Sequence, residues 1–308
     1  MTSSFGKRGI AVILGLCFLL VATLGGIILW FPGILFEAIQ RQYEIRAGVI
    51  EQSVVVNGYT VPYYSGGKNQ TLVLIHGFGD SKISFVQMAE HLTAQYYVVM
   101  PEVPGFGETA KDPARTYSID NQVETLHQAF RAMGLDKFIL GGNSMGGHIA
   151  AAYALKYPED VTHLILIDAA GLKVSDGEPY ADSTEPIRNE ADFDAYMQKL
   201  FVTPPPIPGP FKKDFIRKAA ENFDWQNKIR ADIRGGRDYI LNERIGQIRI
   251  PTLILWGDKD QLVEVAVGDA YNKGINGSRM IVFSNCGHSP QYERPKETAD
   301  AILKFLSS

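Results

Sequence analysis

The chain has 308 residues, is 45% hydrophobic and 21% charged, and carries a formal net charge of -4. These proportions match soluble globular proteins and exclude a disordered, collagen-like or polytopic membrane chain. With 34 acidic against 30 basic residues and no long Lys/Arg run, a polybasic nucleic-acid binder is excluded as well. Two cysteines are too few for a disulfide framework or a four-Cys zinc site.

The first element departs from that average. Ile10 to Phe31 is a run of 22 residues without a charge, long enough as a helix to span roughly 33 Å and cross a bilayer. It is longer than the apolar region of a cleaved signal peptide, and no small-x-small site follows Phe31, so an uncleaved single anchor is expected. Trp30 and Phe31 suit the far interface. Lys7 and Arg8 favour a cytoplasmic N-terminus and an extracytoplasmic globular part, while Arg41 and Arg46 pull the other way. A polar joint is expected from Glu37 to Ala47, so residues 1–46 read as anchor and joint, and residues 47–308 as one domain.

Short runs rich in β-branched and aromatic residues then predict strands at Val54–Val56, Thr60–Tyr64, Thr71–Ile75, Tyr97–Met100, Phe138–Leu140, Leu164–Ile167, Thr252–Trp256 and Met280–Phe283. Amphipathic helices lie between several of them. Ile119, Val123, Leu126, Phe130 and Met133 fall at i+3 and i+4 spacing, and Pro295 opens a helix through Ala299, Ile302, Leu303 and Leu306. This alternation predicts an α/β fold: a mostly parallel, eight-stranded sheet with helices on both faces.

The alternation stops between about residues 172 and 247, where helical stretches such as Phe193–Leu200 and Phe211–Glu221 flank a proline-rich run, Thr203–Pro210. Its aromatic residues argue for a helical cap insertion rather than a linker. The run Phe201–Phe211 admits two readings, a lipid-facing rim with Lys212 and Lys213 beside it, or a rigid connection whose phenylalanines pack beneath the cap.

Gly142-Asn143-Ser144-Met145-Gly146 fits G-x-S-x-G between a strand and a helix, the pattern of a strained turn that exposes a nucleophilic serine. Ser144 needs a base. His288, in a loop between the last strand and the C-terminal helix, is the expected one. His76 reads as bracing its own loop, His148 lies one helical turn past Ser144, and His91, His127 and His163 read as packing or surface residues. Asp260, after the strand Thr252–Trp256, precedes His288 in the chain order Ser, Asp, His and is the preferred acid, with Asp258 and Asp168 as rivals. His76-Gly77-Phe78-Gly79 follows a strand where an oxyanion loop belongs, so the N–H groups of Phe78 and Met145 are the candidate donors.

Together with Pro104-Gly105-Phe106-Gly107, Trp256-Gly257-Asp258-Lys259-Asp260 and Cys286-Gly287-His288, these motifs resemble the α/β-hydrolase superfamily from about residue 50 to the C-terminus. The N-terminal run, Ser118-Ile119-Asp120-Asn121-Gln122-Val123, Asp168-Ala169-Ala170-Gly171-Leu172 and Glu293-Arg294-Pro295 are similar to membrane-anchored monoacylglycerol lipases and related bacterial lipases. That resemblance implies a Ser144–His288–Asp260 triad and an oxyanion hole at Phe78 and Met145. Glu102 departs from the aspartate more usual in the family.

The expected activity is hydrolysis of carboxylic esters of single-chain, monoacylglycerol-like lipids through an acyl-enzyme, on a membrane held through residues 10–31. The alternatives are a hydrolase of C–C bonds in ring-cleavage diketones using the same triad, and a non-catalytic binding protein on this fold. No metal, nucleotide or redox cofactor is implied by any motif.

Overall fold

The computed structural model describes residues 32–176, 179–180 and 185–308; the apolar run Ile10–Phe31 lies outside the described residues. Among the described residues no helix is long and apolar enough to cross a membrane. The strands are β1 (Val49–Val56), β2 (Tyr59–Gly67), β3 (Thr71–Ile75), β4 (Tyr97–Pro101), β5 (Phe138–Asn143), β6 (Val161–Ile167), β7 (Thr252–Gly257) and β8 (Arg279–Phe283).

They form one eight-stranded sheet in the order β1-β2-β4-β3-β5-β6-β7-β8. β1 and β2 pair antiparallel, as do β2 and β4, and every later pairing is parallel. Strand periodicity then divides the core in two. Val73, Ile75, Leu140, Leu164, Leu166, Ile254 and Trp256 face one apolar layer, with Val123, Leu126, Phe130, Ile149 and Tyr271 from the covering helices. Leu72, Leu74, Ile139, Ile165, Ile167, Leu253 and Leu255 face the other, with Phe85, Leu92, Ile302 and Phe305. A sheet buried on both faces explains why its central strands read as continuous apolar runs.

β1 begins five residues before the predicted strand. Its outer half carries Glu51 and Gln52 on a water-exposed edge, where apolar periodicity fades. The expected polar joint is instead the end of a helix, Pro32–Ala47. Polar contacts hold it: Tyr64 donates its hydroxyl to Glu44 Oε1 at 2.7 Å, and Arg46 reaches Glu90 Oε2 at 2.8 Å, while Ala47 is fully buried. This helix touches β1, the short helix Val86–Ala89 and the helix Gly209–Glu221.

Between β6 and β7 the chain makes helices Glu190–Leu200, Gly209–Glu221 and Phe223–Gly235. Phe193 is buried, Phe201 rests edge-on against Tyr292 at 6.2 Å, and Trp225 donates its indole N–H to Gly105 O at 2.8 Å. Phe201 and Trp225 thus fasten the insertion to the segment after β8 and to the loop after β4. Lys212 pairs with Asp194 at 2.6 Å, and Lys213 stays exposed.

Tyr64→Phe removes the hydroxyl that satisfies the nearly buried Glu44, so global stability should fall by about 1–3 kcal/mol with activity per folded molecule retained. Chemical denaturation of both proteins checks the loss.

Candidate active site

β5 is buried along its whole length and ends at Asn143. The next residue, Ser144, has φ 55° and ψ -120°, a conformation a non-glycine residue adopts only when its surroundings impose it. Three backbone hydrogen bonds impose it here. Ser144 N–H donates to Ile167 O at 2.9 Å, and Ser144 O accepts from His148 N at 3.1 Å and Ala170 N at 3.0 Å. The helix Met145–Lys156 starts immediately afterwards, aiming its positive end at the serine. Glycine is obligatory on either side: a Cβ at Gly142 would stand 2.3 Å from the Gly146 carbonyl, and one at Gly146 would stand 2.0 Å from Ile75 O.

His288 is nearly buried in the loop after β8. Its Nδ1 lies 2.7 Å from Asp260 Oδ2, and since a carboxylate accepts, Nδ1 carries the hydrogen and a neutral ring keeps Nε2 as its acceptor. Asp260 Oδ1 is fixed by Leu262 N at 2.8 Å and Val263 N at 3.0 Å. The His288 backbone is tied at both ends, its N–H to Leu200 O at 2.9 Å and its carbonyl to Asn143 Nδ2 at 3.1 Å. Asn143 therefore bridges the serine turn to the histidine loop. Of the rival acids, Asp258 instead accepts from Cys286 N at 3.4 Å, and Asp168 from Gly257 N at 2.8 Å.

The loop after β3 lies against the serine, since a Cβ on Gly77 would sit 3.2 Å from Ser144 Cβ. Phe78 is held edge-on to Phe106 at 5.0 Å and beneath the Arg230 guanidinium at 4.4 Å. Met145 is buried at the first turn of its helix. His76 braces this loop, with Nδ1 2.8 Å from Gly77 O and Nε2 3.0 Å from Val103 N. Glu102 also reaches His76 Nε2, at 3.2 Å, and Lys82 Nζ, at 3.3 Å. Burial alone would lower the His76 pKa, but the hydrogen bond and charge of Glu102 raise it above the usual histidine range. Burial likewise opposes ionisation of Glu102, and His76 followed by Lys82 overcomes it, holding the carboxyl below its usual range. The longer glutamate side chain thus reaches both the His76 ring and the Lys82 ammonium.

Sequence reasoning assigns no individual role to Glu293, yet its Oε1 accepts from Gly287 N at 2.6 Å and its Oε2 from Val202 N at 3.0 Å. It clamps the histidine loop to the insertion, a role that no local motif announces. Among the described residues no cluster of His, Cys, Asp and Glu could hold a metal ion.

A doubly covered parallel sheet with a strained serine at a strand-to-helix turn, and a histidine–aspartate pair on the same edge, defines a hydrolase of the α/β class. The alpha/beta hydrolase family model matches residues 72–301, and the chain belongs to that family. Lipase 1 of Psychrobacter immobilis is 34% identical over 277 residues, covering 86% of this chain and 87% of that protein. Monoacylglycerol lipase ABHD6 of Mus musculus is 30% identical over 262 residues, covering 79% and 77%. Among solved structures, a membrane phospholipase A described as a bacterial virulence factor superposes with a TM-score of 0.85 at 34% identity, covering 96% of this chain and 98% of its own. The chain is accordingly an enzyme, a carboxylic ester hydrolase, and the non-catalytic alternative falls.

Below the serine, His148 is fully buried, with Nε2 2.8 Å from Asp238 O and Nδ1 3.0 Å from Tyr180 Oη. A carbonyl only accepts, so the neutral ring donates from Nε2 and accepts at Nδ1. Burial pushes its pKa down from 6.5 to about 4. The unfolded chain therefore binds this proton first as pH falls. The stability contribution is complete above pH 6.5 and is lost on descent to about pH 4, by an amount on the order of 3 kcal/mol. Urea titrations across that range should show a smaller decline for His148→Gln than for the parent; equal declines would refute the assignment.

Proposed function

We propose that the enzyme cleaves carboxylic esters of single-chain, monoacylglycerol-like lipids by a Ser144–His288–Asp260 mechanism. The observation that carries this reading is the 2.7 Å contact between His288 Nδ1 and Asp260 Oδ2 on the sheet edge that also presents the strained Ser144. The lipase and monoacylglycerol lipase relatives, each covering more than three quarters of this chain, favour a lipid ester over the diketone alternative.

Ser144 Oγ attacks the ester carbonyl carbon as its proton passes to His288 Nε2, and Asp260 stabilises the imidazolium. The N–H groups of Phe78 and Met145 receive the oxyanion. The tetrahedral intermediate collapses, the C–O bond to the alcohol breaks, and His288 returns the proton to the departing alcohol. Water, deprotonated by His288, then attacks the acyl-serine and releases the fatty acid. Within the insertion Phe193, Met197 and Pro204–Pro208 line a groove of about 510 Å³ edged by Lys212 and Asp194, and its lining includes none of Ser144, Asp260 and His288. In this reading residues 1–46 tether a domain of residues 47–308 to the membrane through Ile10–Phe31, with the domain on the extracytoplasmic side.

Ser144→Ala should lower kcat/KM for a monoacylglycerol by on the order of 10³-fold or more and abolish labelling by a fluorophosphonate. An unaltered rate in the purified variant sinks the mechanism. A panel of monoacylglycerols, triacylglycerols, lysophospholipids and short p-nitrophenyl esters should show the highest kcat/KM for the monoacylglycerols. Deletion of residues 1–31 should move the protein from salt-washed membranes to the supernatant while leaving turnover of a soluble p-nitrophenyl ester intact.

A further inference from the structure

Asp168, at the end of β6, is fully buried and has φ 43°. Its backbone N–H donates to Leu255 O at 3.0 Å, and two residues on, Ala170 N–H donates to Ser144 O. The side chain points across the sheet edge towards the acid loop. Oδ1 accepts from Gly257 N at 2.8 Å, whereas Oδ2 is buried and receives no hydrogen bond from any N–H. The carboxyl of Asp260 lies close enough to that of Asp168 for the two to share a hydrogen bond.

Two carboxylates in contact inside a protein do not both ionise, so one of them holds a proton. The number of donors decides which. Asp260 accepts from Leu262 N, Val263 N and His288 Nδ1, three interactions that favour its anion. Asp168 accepts from Gly257 N alone. The other titratable groups around it, Glu293 and Cys286, cannot stabilise a second negative charge: Glu293 is acidic, and burial pushes the Cys286 thiol far up, which keeps it neutral. Burial first, then the neighbouring Asp260, push the Asp168 carboxyl well above the ordinary range, in agreement with the geometry.

We propose that Asp168 is a neutral carboxylic acid whose O–H donates to the Asp260 carboxylate, making it a positioning residue for the acid that orients His288. The orphaned Oδ2 then becomes a donor and Asp260 gains a fourth hydrogen bond. The inference rests on the Ser144–His288–Asp260 reading for its catalytic consequence, though not for the position of the proton.

Asparagine reproduces a neutral acid here. Its amide oxygen accepts from Gly257 N, its NH₂ donates to Asp260, and asparagine tolerates positive φ. Asp168→Asn should therefore keep kcat/KM within about threefold of the parent and leave the acidic limb of the pH profile in place, while Asp168→Ala should lose roughly tenfold or more. If Asp168 were an anion acting through its charge, asparagine would lose as much as alanine or would displace the acidic limb, and either result overturns the proposal. Infrared difference spectra of the parent against Asp168→Asn give a direct reading even if the alanine variant does not fold. Loss of a carboxylic-acid C=O band supports the proposal, and loss of only a carboxylate band overturns it. Asp260→Asn separates the two readings: activity near the parent level would remove Asp260 from the mechanism while the infrared result on Asp168 stands.

Discussion

The site is organised by the strained backbone of Ser144. Its left-handed conformation persists because its N–H is held by β6, through Ile167, and its carbonyl is shared between His148 in the next helix and Ala170 beyond β6. Such a conformation costs on the order of 1–3 kcal/mol, which the packing of the doubly covered sheet sustains. The side chain consequently projects from the end of β5 instead of lying along it. Phe78 follows β3, Asp168 follows β6, Asp260 follows β7 and His288 follows β8, so these candidate groups stand beyond the same end of the parallel strands as Ser144 after β5.

Those loops are fastened to one another more than to solvent. Asn143 joins the serine turn to His288, Glu293 joins the histidine loop to Val202, and Trp225 joins the insertion to the loop after β4. Buried charge is similarly contained. Lys82 sits among Glu51, Glu102 and Glu108, and Glu102 in turn braces His76 at the start of the loop after β3. Of this group Lys82, Glu102 and His76 are buried, so removing Glu102 would take a charged partner from both of the other two.

Most of this was legible in the residues. Central strands announced themselves as apolar β-branched runs because both faces of the sheet are covered, and the glycines at 142 and 146 betrayed a turn with no room for a Cβ. The acid was harder to read. Asp168, Asp258 and Asp260 all follow strands and all accept from backbone N–H groups, and what distinguishes them is which carboxyl meets His288 Nδ1, a matter of tertiary placement that spacing does not encode. The helix Pro32–Ala47 also escaped notice, since polar pairs such as Glu44 with Tyr64 hold it rather than a broad apolar stripe. Glu293 was invisible for the same reason: its partners are backbone N–H groups remote in the chain.

That first helix links two parts of the molecule that the sheet keeps apart. At about 24 Å long, it is seated on β1 at one end of its path and also touches the insertion helix Gly209–Glu221. A flexible tether would transmit only tension, but a packed helix transmits direction and torque. Because the helix touches both β1 and the insertion, a displacement of it is shared between the edge of the sheet and the insertion without passing through the central strands.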